Sequence, residues 1–147
     1  MAINLTELES TLLAKRRAGR VVLESHPVSE FRSHSARETL DAYVQRLGLH
    51  GLGEDWIQVD NLTALQIVIE VLYYQQAQGQ ALMKLHEAAS LAAQIVSLFD
   101  ADNPRTLFFT NRDATHWIPL AEGTYDSGVL FLDSQHVGML WVLDTEA

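Results

Sequence analysis

The sequence lacks the features that mark disulfide-bonded, exported and membrane-spanning proteins. It contains no cysteine, which excludes disulfide bonds and thiolate metal ligands. The first residues, Met1–Glu9, have neither the basic nor the apolar region of a signal peptide. The longest apolar stretch, Leu62–Tyr74, is interrupted by Gln66 and Glu70, and it is shorter than the roughly 20 residues of a membrane helix. We therefore predict a cytoplasmic protein.

Basic residues are scarce in the last two-thirds of the chain. Residues 1–49 hold 6 acids and 7 bases, whereas residues 50–147 hold 13 acids and 3 bases, which sums to the chain's 19 and 10. Such a charge repels nucleic acids and anionic membranes and attracts basic proteins. The one basic run, Lys15–Arg17 with Arg20, suits the polar C-terminal end of a first helix. We expect no nucleic-acid or membrane partner.

Motifs for nucleotide binding and nucleophilic catalysis are also missing. The chain has no Gly-x-Ser-x-Gly elbow, and the glycine-rich stretch Gly48–Gly53 lacks the Lys-Ser/Thr of a phosphate-binding loop. The triplet Asp126-Ser127-Gly128 is ordinary turn chemistry. We therefore predict that the protein is not an enzyme and binds no cofactor.

The six histidines show no spacing that is typical of a metal site. No two lie four residues apart on a helix, and no His-Glu-x-x-His occurs. His136 stands three residues after Asp133, where a metal site is conceivable, and His116 stands three after Asp113, with which it could form an acid–base pair. A solvated turn is the simpler interpretation of Asp133 and His136, and a surface histidine at the start of a strand is that of His116. We predict no metal.

The pattern of apolar residues predicts helices in the first hundred residues. Three capping-box signatures indicate helix starts, at Thr6 with Glu9, Ser35 with Glu38 and Thr63 with Gln66. The segments 63–74 and 82–99 are separated by Gly79, which favours a central helical hairpin. The second segment, Leu82–Phe99, carries apolar residues three and four positions apart, as a packing seam does.

The helical pattern ends at residues 100–104, and strand patterns follow. Alternating apolar residues predict four strands, at 106–110, 116–120, 129–133 and 137–143, and Val21–Leu23 is an ambiguous fifth segment. The expected fold is a single α+β domain over residues 1–147. Its helical part covers about 1–100 and packs on a C-terminal antiparallel β-meander of three or four strands, about 104–147.

The last two strands are apolar on both faces. We group Leu130, Leu132, Leu140 and Val142 on one face, and Val129, Phe131, Met139 and Trp141 on the other. One face packs on the helices. The other is either covered by residues 20–60 or exposed as an apolar patch ringed by carboxylates, which is typical of a protein-binding surface.

Three stretches of the C-terminal part carry a family resemblance. The segments Thr110–Trp117, Thr124–Val129 and Gly138–Asp144, the last reading Gly-Met-Leu-Trp-Val-Leu-Asp, resemble small bacterial immunity proteins that neutralise a toxin encoded beside them. The resemblance covers about a third of the chain. It implies a cytosolic protein that binds and occludes a cognate, basic toxin domain, as a monomer or homodimer.

On that hypothesis, aromatic side chains anchor the toxin and carboxylates attract it. The candidate partner-binding residues are Trp117, Tyr125, Trp141, Asp113, Asp126, Asp133, Asp144 and Glu146, with a second surface at Glu54, Asp55 and Trp56. Two alternatives stay open. One is a small enzyme or ligand-binding domain with a pocket between helices and sheet, using His116, Asp113 and Tyr125. The other is an adaptor that dimerises through the Leu82–Phe99 seam.

Overall fold

A computed structural model describes residues 5–99 and 105–145. The predicted stop at 100–104 and the candidate residue Glu146 lie outside these ranges. The described chain contains four α-helices and five β-strands. In chain order these are α1 Leu5–Lys15, β1 Arg20–Pro27, α2 Ala36–Arg46, β2 Ile57–Val59, α3 Asn61–Tyr73, α4 Leu85–Leu98, β3 Leu107–Thr110, β4 Tyr125–Leu132 and β5 His136–Asp144.

The strands form one antiparallel sheet in the order β1-β5-β4-β3-β2. The predicted α+β class is confirmed, as are the helical hairpin α3–α4 and the meander β3-β4-β5. The sheet has five strands rather than three or four, because β1 and β2 come from the N-terminal part and pair with β5 and β3. The division into a helical part and a sheet part is therefore not strict.

The strand predicted at 116–120 is wrong. This segment makes only an isolated bridge, between Arg112 and Trp117. Pro119 has no amide hydrogen to donate, and the amide of Leu120 donates to the side chain of Asp126 at 2.8 Å instead of to a neighbouring strand. The loop from 111 to 124 follows β3, and its residues 113–117 are exposed, whereas Asn111 and Leu120 are buried.

Short polar side chains set the starts of two helices. Ser35 caps α2 as predicted, since its Oγ accepts a hydrogen bond from the amide of Glu38 at 3.1 Å. For α3 the predicted cap is wrong, because Asp60 precedes Thr63 and its Oδ1 accepts from the Thr63 amide at 2.7 Å. Thr6 lies inside α1, which ends at Lys15.

Two apolar cores lie on opposite faces of the sheet. On the first face α1, α3 and α4 pack on Val129, Phe131, Leu140 and Val142. On the second face α2 and the segments around it pack on Leu130, Leu132, Met139 and Trp141. Our grouping of these residues was wrong, because the hairpin register pairs Val129 with Leu140 and Leu130 with Met139, and paired residues share a face.

The second face is therefore covered rather than exposed. Tyr43 of α2 and Trp56 are both buried over it, and the Trp56 ring meets that of Trp141 edge-on at a centroid distance of 6.4 Å. An apolar patch on this face is thus not available to a partner. The C-terminal half of the Leu82–Phe99 seam is likewise buried within the chain, since Ala92, Val96 and Phe99 belong to the first core, whereas Leu85 at its start is exposed.

Candidate partner-binding surface

Two aromatic side chains stack at the surface beside the end of β4. Trp117, in the loop before β4, and Tyr125, the first residue of β4, have ring centroids 5.9 Å apart and planes tilted by 11°. They remain 43% and 39% exposed. We call them the aromatic pair. The structure thus brings together two of the predicted anchors, which are eight residues apart in the sequence.

The Trp117 ring is held by a hydrogen bond as well as by stacking. Its Nε1–H donates to the main-chain oxygen of Asp126 at 2.8 Å. The same oxygen accepts from the side-chain amide of Asn111 at 2.8 Å, and that amide also donates to the Ile118 oxygen at 2.9 Å. The indole therefore presents its exposed part in a fixed position, and a partner that binds it has little side-chain freedom to freeze.

The carboxylate of Asp126 organises the loop from within. It is buried and accepts four hydrogen bonds, from the Leu120 amide at 2.8 Å, the Ala121 amide at 3.2 Å, the Thr124 hydroxyl at 2.6 Å and Trp141 Nε1 at 2.9 Å. We predicted Asp126 as a partner contact, and this burial contradicts that prediction. Its contribution to the surface is indirect, because it fixes the segment that carries the aromatic pair.

Asp144 and Trp141 are also removed from the candidate surface. The side chains of Asp144 and Arg16 are both fully buried and form an ion pair at 2.7 Å. Trp141 is fully buried between the sheet and Trp56. Both predictions of partner contact are incompatible with this burial. Arg16 was predicted on a polar helix face, but it follows α1 and points into the protein.

Asp113 lies at the surface near the aromatic pair and shapes its own loop. Its Oδ1 accepts hydrogen bonds from the amides of Thr115 and His116, each at 2.8 Å. These bonds, that of Thr115 foremost, hold the pKa of the Asp113 carboxyl below its usual range. His116 Nδ1 lies 3.5 Å from Asp113 Oδ1, and both side chains face solvent. The geometry is that of a polar turn whose carboxylate is charged at neutral pH.

The other predicted pair, Asp133 and His136, forms the β4–β5 turn. Asp133 Oδ1 accepts from the amides of Gln135 at 2.7 Å and His136 at 2.6 Å, and its side chain is only 12% exposed. The carboxylate is thus engaged in closing the hairpin. Among the described residues no three His, Asp or Glu side chains are grouped so that they could hold a metal ion.

At the second predicted surface the two acids are exposed and the aromatic residue is buried. Glu54 and Asp55 are exposed on a short 3-10 turn, Gly53–Asp55. Trp56 is buried, and its Nε1–H donates to Asp41 Oδ1 at 2.7 Å. These acids stand immediately before β2, at the edge of the sheet opposite β1.

Two residues that the sequence did not single out complete the surface. Gln76 and Arg112 line, with Asp113 and the aromatic pair, a shallow open pocket of about 270 Å³. Arg112 Nη2 lies 3.1 Å from Glu70 Oε2. Arg112 is one of only three basic residues after residue 49. This scarcity is the feature of the sequence by which Arg112 could have been identified.

No helix of the described chain is both long and apolar enough to cross a membrane. Comparisons of the chain with protein-family models, with curated proteins and with solved structures found no match. Function is therefore inferred from the geometry of this chain and from its sequence.

Lowered carboxyl pKa values predict how stability responds to acid. The pKa is held below its usual range at Asp60 by the Thr63 amide, at Glu87 by the Lys15 ammonium and at Asp113 by the Thr115 amide. These groups stabilise the fold above their unfolded pKa values of about 4, and the contribution is lost as pH falls through the lower folded values. We expect urea midpoints that agree at pH 7 and pH 5 and fall at pH 3.

Asp113→Asn should lower the midpoint at pH 7 and reduce the difference between pH 7 and pH 3, because the substituted side chain cannot ionise. Glu54→Gln is the control, an exposed carboxylate with no hydrogen bond among the described residues. A midpoint for Asp113→Asn that changes with pH as steeply as that of the unmodified protein would contradict the prediction.

Proposed function

We propose that this protein is an acidic, cytoplasmic immunity protein that binds a basic bacterial toxin domain and occludes it. The observation that carries the proposal is the aromatic pair. Tryptophan and tyrosine are the side chains most enriched in the energetic centres of protein interfaces. Here both are exposed, stacked on each other and fixed in place by the loop.

Charge supports a basic partner. The formal net charge of the chain is −9 at pH 7, and the carboxylate of Asp113 stands in the same pocket as the aromatic pair. An exposed acidic rim chiefly raises the association rate and the salt sensitivity of binding, whereas desolvated aromatic contacts set the dissociation rate. We therefore assign anchoring to Trp117 and Tyr125, and steering to Asp113, Glu54 and Asp55.

The two alternative functions receive less support from the structure. The hypothesis of a dimerising adaptor depends on the Leu82–Phe99 seam. Most of the apolar residues of this seam lie in or against the chain's own core. The enzyme hypothesis depends on His116, Asp113 and Tyr125. The side chain of His116, however, is 74% exposed to water. Proton transfer by a positioned base gains from a site that excludes water.

The test is a binding measurement with the protein encoded by the gene immediately upstream. Replacing both Trp117 and Tyr125 with alanine should weaken binding at least about thirtyfold, because hot-spot truncations of this kind cost about 2 kcal/mol or more. Titration calorimetry at two salt concentrations measures the change. The unmodified protein should also lose affinity as salt rises.

The matched control is Leu85→Ala, which truncates another exposed large apolar side chain, on α4 and outside the lining of the pocket beside the aromatic pair. It should leave the affinity unchanged. Equal affinity of the double alanine variant and the unmodified protein, with both folded by circular dichroism, would refute the assignment of the surface.

A further inference from the structure

The edge of the sheet next to the aromatic pair contains a groove. It is lined by Ile57 and Val59 of β2, by Thr63, Ile67 and Glu70 of α3, and by residues 112–114, and it encloses about 430 Å³. We call it the edge groove. Its apolar side chains Ile57, Val59 and Ile67 are only half-buried. Arg112 and Asp113 line both this groove and the pocket beside the aromatic pair, so the two form one continuous surface.

The strand that borders the groove is an open edge. β2 pairs with β3 on one side, and no further strand of residues 5–99 or 105–145 lies beyond it. An edge strand presents unpaired backbone donors and acceptors to which another chain can add. β2 reads Ile57-Gln58-Val59 and contains neither the charges nor the proline that commonly block such pairing.

The opposite edge of the sheet differs in this respect. β1 carries Arg20, Glu24 and His26 along its length and ends at Pro27. Charged side chains and proline are the usual protection of an edge strand. The composition of β1 therefore disfavours pairing at that edge, whereas β2 is protected only by its shortness.

The surroundings of β2 are acidic. Five exposed carboxylates surround it: Glu54 and Asp55 precede it, Asp60 follows it, and Glu70 and Asp113 line the groove. At about 3.4 Å per residue, Asp55 and Asp60 stand within about 7 Å of the strand ends. Arg112 pairs with Glu70, so these two charges offset each other, and Arg37 lies over the Phe109 ring on the other face. The carboxylates that remain beside β2 are Glu54, Asp55, Asp60 and Asp113. The local charge therefore favours a cationic occupant.

We propose that the partner adds an extended basic segment to β2, with one apolar side chain in the edge groove and Lys or Arg side chains beside these carboxylates. This mode of recognition combines main-chain hydrogen bonds, which supply affinity, with pockets for alternate side chains, which supply specificity. The identity of the partner rests on the proposed function. The chemistry of the occupant rests on the edge strand, the groove and the charge.

The test uses a probe that does not require the partner: a blocked heptapeptide of alternating lysine and valine, titrated to millimolar concentration into ¹⁵N-labelled protein. We expect chemical-shift changes at the amides of 57–59 and along the groove-facing side of α3, and none along β1. Ile67→Lys, which places a cation in the groove, should abolish the changes. Leu62→Lys, on an exposed position of the same helix outside the groove lining, should preserve them.

Two N-methylated analogues keep the test valid even if Ile67→Lys disturbs the fold. One is methylated at every valine and the other at every lysine. If the peptide pairs as a strand, at least one analogue should bind about fivefold or more weakly, because it lacks main-chain donors that the unmodified peptide uses. An alternating glutamate–valine peptide should not bind.

Each of three results would overturn strand addition. These are absence of shifts at 57–59, binding of both methylated analogues as tightly as the unmodified peptide, and binding of the acidic peptide as tightly as the basic one. None of these results bears on the aromatic pair, because the peptide contains no part of the toxin. Conversely, failure of the upstream protein to bind would refute the proposed function and leave the peptide result standing. The two failures are therefore distinguishable.

Discussion

Replacing Asp144 with alanine is expected to lower the free energy of unfolding by about 3–5 kcal/mol, the usual cost of leaving a buried charge without its partner. The charge that remains is the guanidinium of Arg16, whose side chain is 0% exposed. Typical domains have only about 5–15 kcal/mol of stability in total. The variant should therefore be largely unfolded at temperatures that the unmodified protein tolerates.

The size of the effect follows from how completely the pair is engaged. Arg16 Nη1 and Nη2 donate to the two oxygens of Asp144 at 2.9 and 2.7 Å, and Asp144 Oδ2 also accepts from the Gln76 amide at 2.6 Å. The remaining guanidinium hydrogens go to main-chain oxygens of Val71, Ala18 and Tyr74. The pair thus joins the segment after α1, the end of α3 and the end of β5.

Gly19 shows how tightly this region is packed. A Cβ atom at that position would lie 2.1 Å from Asp144 Oδ1, and the backbone φ there is +67°, a region that favours glycine. The carboxylate of Asp144 therefore packs directly against the backbone of Gly19.

Chemical denaturation with a double-mutant cycle measures the effect. Arg16→Met combined with Asp144→Leu should be less destabilised than either single substitution, since no unpaired charge is left inside. Lys15→Ala is the control, because the neighbouring pair of Lys15 with Glu87 lies at the surface and should contribute little. An Asp144→Ala variant within about 1 kcal/mol of the unmodified protein would contradict the assignment of Asp144 as a structural residue.

The second large effect is expected at Asp126. Alanine there removes the acceptor of the buried Leu120 amide, of the partly buried Ala121 amide and of the Trp141 indole. Each buried donor left without an acceptor costs about 1–3 kcal/mol, so a loss of about 3–5 kcal/mol is expected in urea unfolding. Asp126→Asn keeps the side-chain volume but turns an amide group towards the donors. Its free energy of unfolding should lie between those of the alanine variant and the unmodified protein.

The Asp126 variants also test how the aromatic pair is positioned. Trp56 and Trp141 are buried, so Trp117 is the tryptophan that an aqueous quencher reaches. Under conditions where Asp126→Asn is still folded, acrylamide quenching of Trp117 should increase because the loop that holds its indole is loosened. Quenching identical to that of the unmodified protein would show that Trp117 is held independently of the Asp126 side chain.

Regular features of the fold were predictable from the sequence, and irregular ones were not. The meander and the helical hairpin follow from long periodic segments, and Ser35 supplied a correct helix start. β2 was missed because three residues are too few to show an alternation. The 116–120 segment was misassigned because it belongs to a loop that the carboxylate of Asp126, six residues after Leu120, holds together.

The candidate site was predictable in part, for a related reason. Trp117 and Tyr125 were identified as aromatics near acids, but acids were assumed to lie at the surface. Asp126 stands two residues before Gly128 and four before Leu130, and it therefore shares their face of β4. Asp144 continues the alternation of Leu140 and Val142 in the same way. Both residues lie just outside the strands predicted at 129–133 and 137–143, so the alternation was not extended to them. The partners of Asp144, Arg16 and Gln76, come from distant segments that sequence spacing cannot connect.

The proposal that this protein neutralises a toxin is tested most directly by bacterial growth. The protein encoded immediately upstream is produced in a sensitive bacterial host together with this chain, with the Trp117→Ala and Tyr125→Ala double variant, or with the Leu85→Ala control. We predict growth arrest by the upstream protein alone, rescue by the unmodified chain and by the control, and no rescue by the double variant. Arrest that the unmodified chain does not relieve, or full rescue by a folded double variant, would contradict the proposal.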